Sequence, residues 1–247
     1  MTLASTPIAK EQLLIIHERL CEVYHCPIPY FSDSDPVSDL IGALLSHRTL
    51  NRDSAAAMRN LRSRFSTWDQ MLEVPAEEIE RQIPMVRWPE MKAPRLQSVL
   101  GEILSRRGEL SLDFLAQMDP QDALAWLEGI KGVGPKTAAA TISFSRLRMR
   151  ALAVDSHHHR VAQRLALIPP KMGEGPAHRY LVDMLPEEWT PQQVYDDHEI
   201  FMLHGQKICH WRKPACDRCV LADICPSAFK VDAPAKPDPR AKNATLL

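Results

Sequence analysis

Residues Leu127–Ala140 read LEGIKGVGPKTAAA, and this stretch decides how the chain can fold. The apolar spacing before it and the Thr-Ala-Ala-Ala run within it are helical, so one helix ends and another begins within a few residues. Gly132 and Gly134 are read as supplying permissive backbone angles for that turn, and Pro135 suits the first position of the second helix. Such a start leaves helix N-terminal amides free of side-chain obstruction, where a phosphate is accepted whatever base it carries. Lys136 then lies in the first helical turn, where the positive dipole end disfavours its ammonium form. Partial burial would lower its pKa further, and a neutral amine is a good nucleophile for a sugar carbon. A plain helix-helix connection is the other reading of Gly-x-Gly.

Outward from this turn the chain repeats the same grammar. Apolar residues recur at helical spacing at Leu13, Ile16, Leu20 and Val23, at Leu40, Leu44 and Leu45, and at Leu96, Val99, Leu100 and Ile103. Proline and capping residues punctuate it at short intervals, as at Asp35-Pro36, Asp119-Pro120 and Thr190-Pro191. The expectation is an all-α protein of about ten or more helices. The longest candidate strand, Ala151–Val154, is brief and reads as an extended connector. The composition, 45% hydrophobic and 25% charged over 247 residues, is that of a globular protein with one or two cores. No run approaches the roughly 20 apolar residues that span a bilayer, and the start lacks a signal-peptide pattern, so a cytoplasmic location is expected. From about Val231 the sequence reads as a flexible tail. A net charge of −1 does not announce a polyanion partner, so any nucleic-acid reading rests on local groups.

Nineteen residues after Lys136, Asp155 stands between an apolar segment and the next helical run, Ser156-His-His-His-Arg160. Asp there reads as an N-cap. A cap also fixes the carboxylate's direction, and near Lys136 such a group can handle protons and stabilise cationic sugar character. His157, His158 and His159 do not form a metal triad, because consecutive helical residues point in different directions.

Four of the six cysteines, Cys209, Cys216, Cys219 and Cys225, follow the spacing C-x6-C-x2-C-x5-C. Four thiolates in one short loop can surround one metal centre. Only one CxxC pair is present, whereas a zinc ribbon uses two, so the spacing favours a [4Fe-4S] cluster. Four unligated thiols are the alternative. Cys21 and Cys26 are read as a helix filler and a turn residue before Pro27, with no ligand role. Lys207, Arg212, Lys213 and Arg218 crowd the same loop, which reads either as a set of phosphate contacts or as a solvated charge run.

Three of these motifs together, Gly132-Val-Gly-Pro-Lys-Thr-Ala138, Val154-Asp-Ser-His157 and Leu203-His-Gly205 running into the cysteines, resemble endonuclease III in order and spacing. The likeness covers roughly Leu13 to Pro226. It implies a helical barrel-like domain with a helix-hairpin-helix motif over residues 35–148, an iron-sulfur domain from 1–34 plus 149–226, and a tail over 227–247. It implies that Lys136 is the catalytic lysine and Asp155 the catalytic aspartate of a DNA glycosylase and AP lyase of base excision repair. It further implies that Cys209, Cys216, Cys219 and Cys225 hold [4Fe-4S]. The partner implied is double-stranded DNA with a damaged base or abasic site, bound by a monomer with help from Gly132, Gly134, Arg48, Lys207, Arg212 and Lys213.

Two places depart from the family pattern. Where the family commonly has a gap-filling Gln after Leu-Leu-Ser and a small residue, this chain has Ser46-His47-Arg48, and Arg48 becomes either a gap filler or a phosphate contact. The segment Ile83–Ala93 replaces a shorter Gly-aromatic segment, and its Met85 and Trp88 either wedge into DNA or fill a core. The rival functions are a mismatch-specific glycosylase, whose monofunctional forms usually lack a lysine at the position of Lys136, and a non-catalytic iron-sulfur DNA-binding protein, which needs neither Lys136 nor Asp155. A zinc-dependent binding protein is a third.

Overall fold

The structure is a computed structural model that describes residues 7–230, with side chains from Lys10 onward. Among the described residues it is entirely helical. Its helices are α1 (Pro7–Tyr24), α2 (Pro36–Ser46), α3 (Asn51–Arg64), α4 (Ala76–Gln82), α5 (Pro89–Arg107), α6 (Pro120–Glu128), α7 (Pro135–Phe144), α8 (Ser156–Arg164), α9 (Glu174–Val182) and α10 (Pro191–Lys207), with short 3-10 turns at Trp68–Leu72, Asp113–Gln117 and Cys216–Arg218. Ala151–Val154 forms no strand and connects α7 to α8, as its brevity implied. No helix among the described residues is long and apolar enough to cross a membrane.

The chain divides into two compact units. One holds Pro27–Ala153 and Leu185–His198. The other holds the described residues through Cys26, Val154–Met184 and those from Glu199 on. In the first unit, α2 contributes Leu40, Ile41, Leu44 and Leu45 to a core that includes Ala138, Ala139 and Ile142 of α7 and Leu96, Val99, Leu100 and Ile103 of α5. Each fully buried Leu or Ile contributes roughly 1.5–3 kcal/mol of hydrophobic stabilisation. The small Ala138–Ala140 run lets α7 lie close against α2, the most extensively packed pair of helices.

Aspartates start the helices where the sequence placed them. Asp35 accepts the Ser38 amide at 2.9 Å and Asp119 that of Gln121 at 2.9 Å. Each such cap contributes about 1 kcal/mol. In the other unit, Cys21 and Cys26 are joined by a disulfide, correcting the reading of them as filler and turn residue. The cause is the end of α1. His25 adopts a left-handed φ of 62°, the chain turns back, and the Cys26 amide donates to the Cys21 carbonyl at 3.1 Å. That brings the two Cα atoms to 4.9 Å, within bridging range. Two cysteines five residues apart beyond a predicted helix end carry no such signal. Ser227–Lys230 form a turn, with the Ala228 amide on the Cys225 carbonyl, so the chain stays folded past Pro226. The remainder of the expected tail, from Val231, lies outside the described residues.

Asp39 of α2 carries a cost at neutral pH. Burial pushes its pKa up to about 6, against the Ser34 hydroxyl that donates to it at 2.5 Å. A carboxyl raised above its unfolded value contributes stability below the usual carboxylate range and loses it as pH rises through about 6. We expect Asp39→Asn to raise the urea midpoint at pH near 7.5, with the gain shrinking toward pH 4.5. An equal shift at both pH values would mean that the charge of Asp39 is not the cause.

Candidate active site and cysteine loop

The hairpin between α6 and α7 begins where the Val133 amide donates to the Ile130 carbonyl at 3.0 Å. Gly132 takes φ +98°, which L side chains avoid, and the stem of Arg95 passes 3.5 Å from where a Cβ would sit. Gly134 differs from expectation. Its φ of −105° and ψ of 174° are ordinary extended backbone, open to any residue. Its contribution is the missing side chain: nothing lies within 4 Å of its would-be Cβ, and Gly134 itself offers no cap to α7. Lys136, half-buried, is the second residue of α7.

In the same unit the end of α2 gathers positive charge. Arg48 is exposed, in a left-handed backbone conformation at φ 52°. Trp88 precedes α5, also left-handed at φ 56°, with Arg87 at 4.8 Å and Arg48 at 6.0 Å from its ring. Trp88 is 36% exposed, and Leu50 and Met91 are each 60% exposed, whereas Met85 packs against the core. Burial of His47, and then the fields of Arg48, Lys92, Lys136 and Arg95, hold its imidazole below the ordinary histidine value. Sequence reading missed Lys92, which is buried and donates to the carbonyls of Leu45 and His47 and to Thr49 Oγ1. The available signal was its place on the apolar stripe that continues through Leu96, Val99, Leu100 and Ile103.

The other unit holds Asp155 and the cysteines. Asp155 Oδ1 accepts the His158 amide at 2.7 Å and so caps α8. The three consecutive histidines part ways: His157 Nδ1 meets Arg160 at 3.0 Å, His158 stacks on Phe201 at 4.4 Å, and His159 meets the Met172 carbonyl at 2.8 Å. Arg160 donates to the carbonyls of Gly205 at 2.7 Å and Cys209 at 3.0 Å. Gly205 is where α10 meets α8; a Cβ there would come within 2.8 Å of the Cβ of His157.

Cys209, Cys216, Cys219 and Cys225 line one small cavity together with Val161, Leu165, Ile208, Pro214 and Leu221. Arg164 donates to Cys209 Sγ at 3.2 Å and to the carbonyls of His210 and Trp211. Buried His204, pushed down to about 4 by that burial, sits 3.5 Å from Cys219 Sγ. A single tetrahedral zinc needs each sulfur about 2.3 Å from one point. A multi-iron cluster instead takes its thiolates at separate irons, which suits four cysteines spread around one pocket. Burial, and then charge on the neighbouring cysteines, raise the thiols of Cys219 and Cys225. A cationic iron core reverses that preference, so the donors fit such a group. Lys207, Arg212, Lys213 and Arg218 around this loop are exposed, with Lys207 5.4 Å from the Tyr24 ring.

A family model described as the iron-sulfur binding domain of endonuclease III matches residues 212–225. Endonuclease III of Escherichia coli strain K12 is 30% identical over 224 residues, 90% of this chain and 99% of that protein. The chain belongs to the endonuclease III family. As the family's iron-sulfur domain requires, its cofactor is a [4Fe-4S] cluster. Endonuclease III of Sulfolobus acidocaldarius is 31% identical over 114 residues, 46% of this chain and 49% of that protein. An Arabidopsis thaliana relative, 26% identical over 193 residues, is spanned over 64% of its length. The fold matches a solved structure of a trapped endonuclease III-DNA covalent intermediate at a TM-score of 0.75, with 22% identity over 90% of this chain and 97% of that one. It matches a thermostable thymine-DNA glycosylase at 0.70, with 18% identity over 89% and 98% of the two chains.

The packing at Gly205 explains why a glycine follows Leu203-His204 ahead of the cysteines. Gly205→Ala forces α10 off α8, and overpacking of this kind costs about 1–3 kcal/mol. Because Arg160 also holds the Cys209 carbonyl, we expect a lower melting temperature together with fewer irons per chain, read by absorbance near 400 nm. An unchanged melting temperature and iron content would show that the helices part without cost.

Proposed function

We propose that this chain is a bifunctional DNA glycosylase and AP lyase of base excision repair. It removes oxidised pyrimidines from double-stranded DNA and cuts the strand 3′ to the abasic site by β-elimination. The observation that carries this reading is Lys136, a primary amine in the first turn of a helix whose N-cap, Gly134, has no side chain, in a chain of the endonuclease III family. A phosphate accepted at the leading amides of that helix holds the backbone, and the damaged nucleotide leaves the stack at a few kcal/mol.

The chemistry then needs two residues. The neutral amine of Lys136 attacks the sugar C1′ while the C1′–N bond breaks and the base departs with a proton. Asp155, its carboxylate direction fixed by the cap on α8, steadies the cationic sugar and moves the protons of these steps. The lysine-sugar adduct loses a proton from nitrogen, and its C1′–O4′ bond then breaks as O4′ takes up a proton; the iminium so formed between lysine and the opened sugar acidifies the C2′ proton. Its removal expels the 3′ phosphate, and water releases the lysine. Cys209, Cys216, Cys219 and Cys225 serve as the cluster's ligands. None of these steps passes an electron, so the cluster's part is to order the loop that presents Lys207, Arg212 and Lys213 to the DNA. The protein acts as a monomer on this reading.

Lys136→Gln should abolish borohydride trapping on abasic and oxidised-pyrimidine duplexes while leaving DNA binding largely intact. Asp155→Asn should slow base release by at least about 100-fold, since loss of a positioned proton-transfer group costs 10²- to 10⁴-fold. Trapping that survives in the Gln variant assigns the nucleophile elsewhere. Base release from mismatches in preference to oxidised pyrimidines moves the protein to the mismatch-specific class.

A further inference from the structure

The geometry points to Lys92 as a positioning residue for Arg48, tying the turn after α2 to the start of α5 and so setting where that guanidinium meets a duplex opened at a lesion. The DNA part of this inference rests on the reading given under Proposed function; the clamp itself does not. Lys92 is 7% exposed, and lysines are almost never buried to that degree unless their ammonium is fully partnered. It has three N–H donors and meets three acceptors: the Leu45 carbonyl at 2.6 Å, the His47 carbonyl at 2.9 Å and Thr49 Oγ1 at 2.8 Å. Two of these are carbonyls at the C-terminal end of α2, where a helix leaves its carbonyls without partners and favours a cation.

Arg48 lies between two of those acceptors. Its left-handed backbone is unfavourable for a residue with a side chain and persists only where the surroundings over-determine it. The surroundings here form a closed circuit. Lys92 holds His47 and Thr49, the Thr49 hydroxyl also accepts the Arg87 amide at 3.1 Å, and the Lys92 amide donates to the carbonyl of Trp88 at 3.0 Å. Trp88 in turn lies under Arg48. An amine buried and committed to three acceptors is unavailable as a nucleophile, so its role is to position rather than to react.

The circuit has a pH limit. Burial, and then the charge of Arg95 on the same helix, lower Lys92 to about 8. The other groups in this field are His47, facing Lys92 from the turn, and Arg48, Arg95 and Lys136, which act on His47 with it. A neutral amine keeps two N–H donors for three acceptors, so the turn loosens as pH passes about 8. His47, held below the ordinary histidine value, titrates on the acid side of this window. Global stability moves the other way. A lysine lowered in the fold binds fewer protons folded than unfolded between about 8 and 10.5, so its contribution rises with pH there.

The test uses the full, cluster-loaded chain with a duplex carrying a tetrahydrofuran abasic-site analogue opposite guanine, and the same duplex undamaged. Lys92→Met and Arg48→Ala are each expected to reduce the preference for the tetrahydrofuran duplex about tenfold, the worth of one good guanidinium-base contact. The double variant should lose no more than either single one. The wild-type preference should fall as pH is raised through about 8, and that of Lys92→Met should stay flat. Thr49→Val removes one acceptor while leaving Lys92 in place, and is expected to act in the same direction should Lys92→Met fail to fold. In the free protein, hydrogen exchange of the amides over 47–50 should quicken in both variants. Losses that multiply in the double variant, a wild-type preference indifferent to pH, or unchanged exchange each overturn the proposal. If the wild type shows no preference for the tetrahydrofuran duplex, the glycosylase reading fails, and exchange over 47–50 alone then decides whether Lys92 holds the turn.

Discussion

A helix begins with amides that have no partner inside it, and at α7 the N-cap residue, Gly134, has no side chain to supply one. The contrast within the chain is direct. Asp35, Asp119 and Asp155 each close the start of a helix with a carboxylate, whereas α7 follows Gly134, which has no side chain to offer. A carboxylate there would cancel the helix's positive pole and occupy the space an anion needs. On the proposed function, the anion site therefore depends on Gly134 placing no carboxylate at this start. The fold tolerates that because α7 is secured elsewhere, by the Ala138–Ala140 run against α2 and by Ile142 in the core.

The cysteine loop meets the opposite difficulty, too little apolar mass to fold on its own. From Cys209 to Cys225 its regular structure is a single short 3-10 turn, and four of its inward residues are cysteines. Helix α8 reaches into it with two arginines one turn apart, Arg160 and Arg164, both bonded to the Cys209 carbonyl. These bonds order the first ligand's backbone, and metal binding supplies the remaining folding energy of such a loop. The helix that organises the loop at its C-terminal end is the one Asp155 caps at its start. Proper seating of α8 thus sets both the direction of the carboxylate and the approach to the cluster.

Much of this was legible in the sequence because it depended on local chemistry. The all-α class followed from apolar spacing and proline punctuation, the caps from aspartates ahead of helical runs, and the cofactor from thiol spacing. What escaped depended on contacts distant in sequence or on the details of a turn. The return of Leu185–His198 to the unit formed by Pro27–Ala153 has no pattern of its own. The Cys21–Cys26 bridge required knowing that His25 turns left-handed. Gly134 was credited with an angle it does not adopt, because Gly-x-Gly does not say which glycine carries the strain. Gly205 is explained only by a helix some 45 residues earlier in the chain, and Lys92 only by acceptors 43 to 47 residues away.

Charge distribution reconciles a net charge of −1 with a polyanionic partner. Surface charges are screened beyond about 8 Å at physiological ionic strength, so a bound strand responds to the groups within a few residues of it and not to the molecular total. Arg48, Lys92, Arg95 and Lys136 act together on His47, which places their fields within one small region of the first unit. A second exposed set, Lys207, Arg212, Lys213 and Arg218, lies around the cysteine loop. Each neutralised phosphate strengthens binding and steepens its salt dependence, whatever the sequence. On the proposed function, discrimination of a lesion adds short-range groups that engage only when the duplex opens, and the turn at Arg48, held by buried Lys92, sets where one of them meets the DNA.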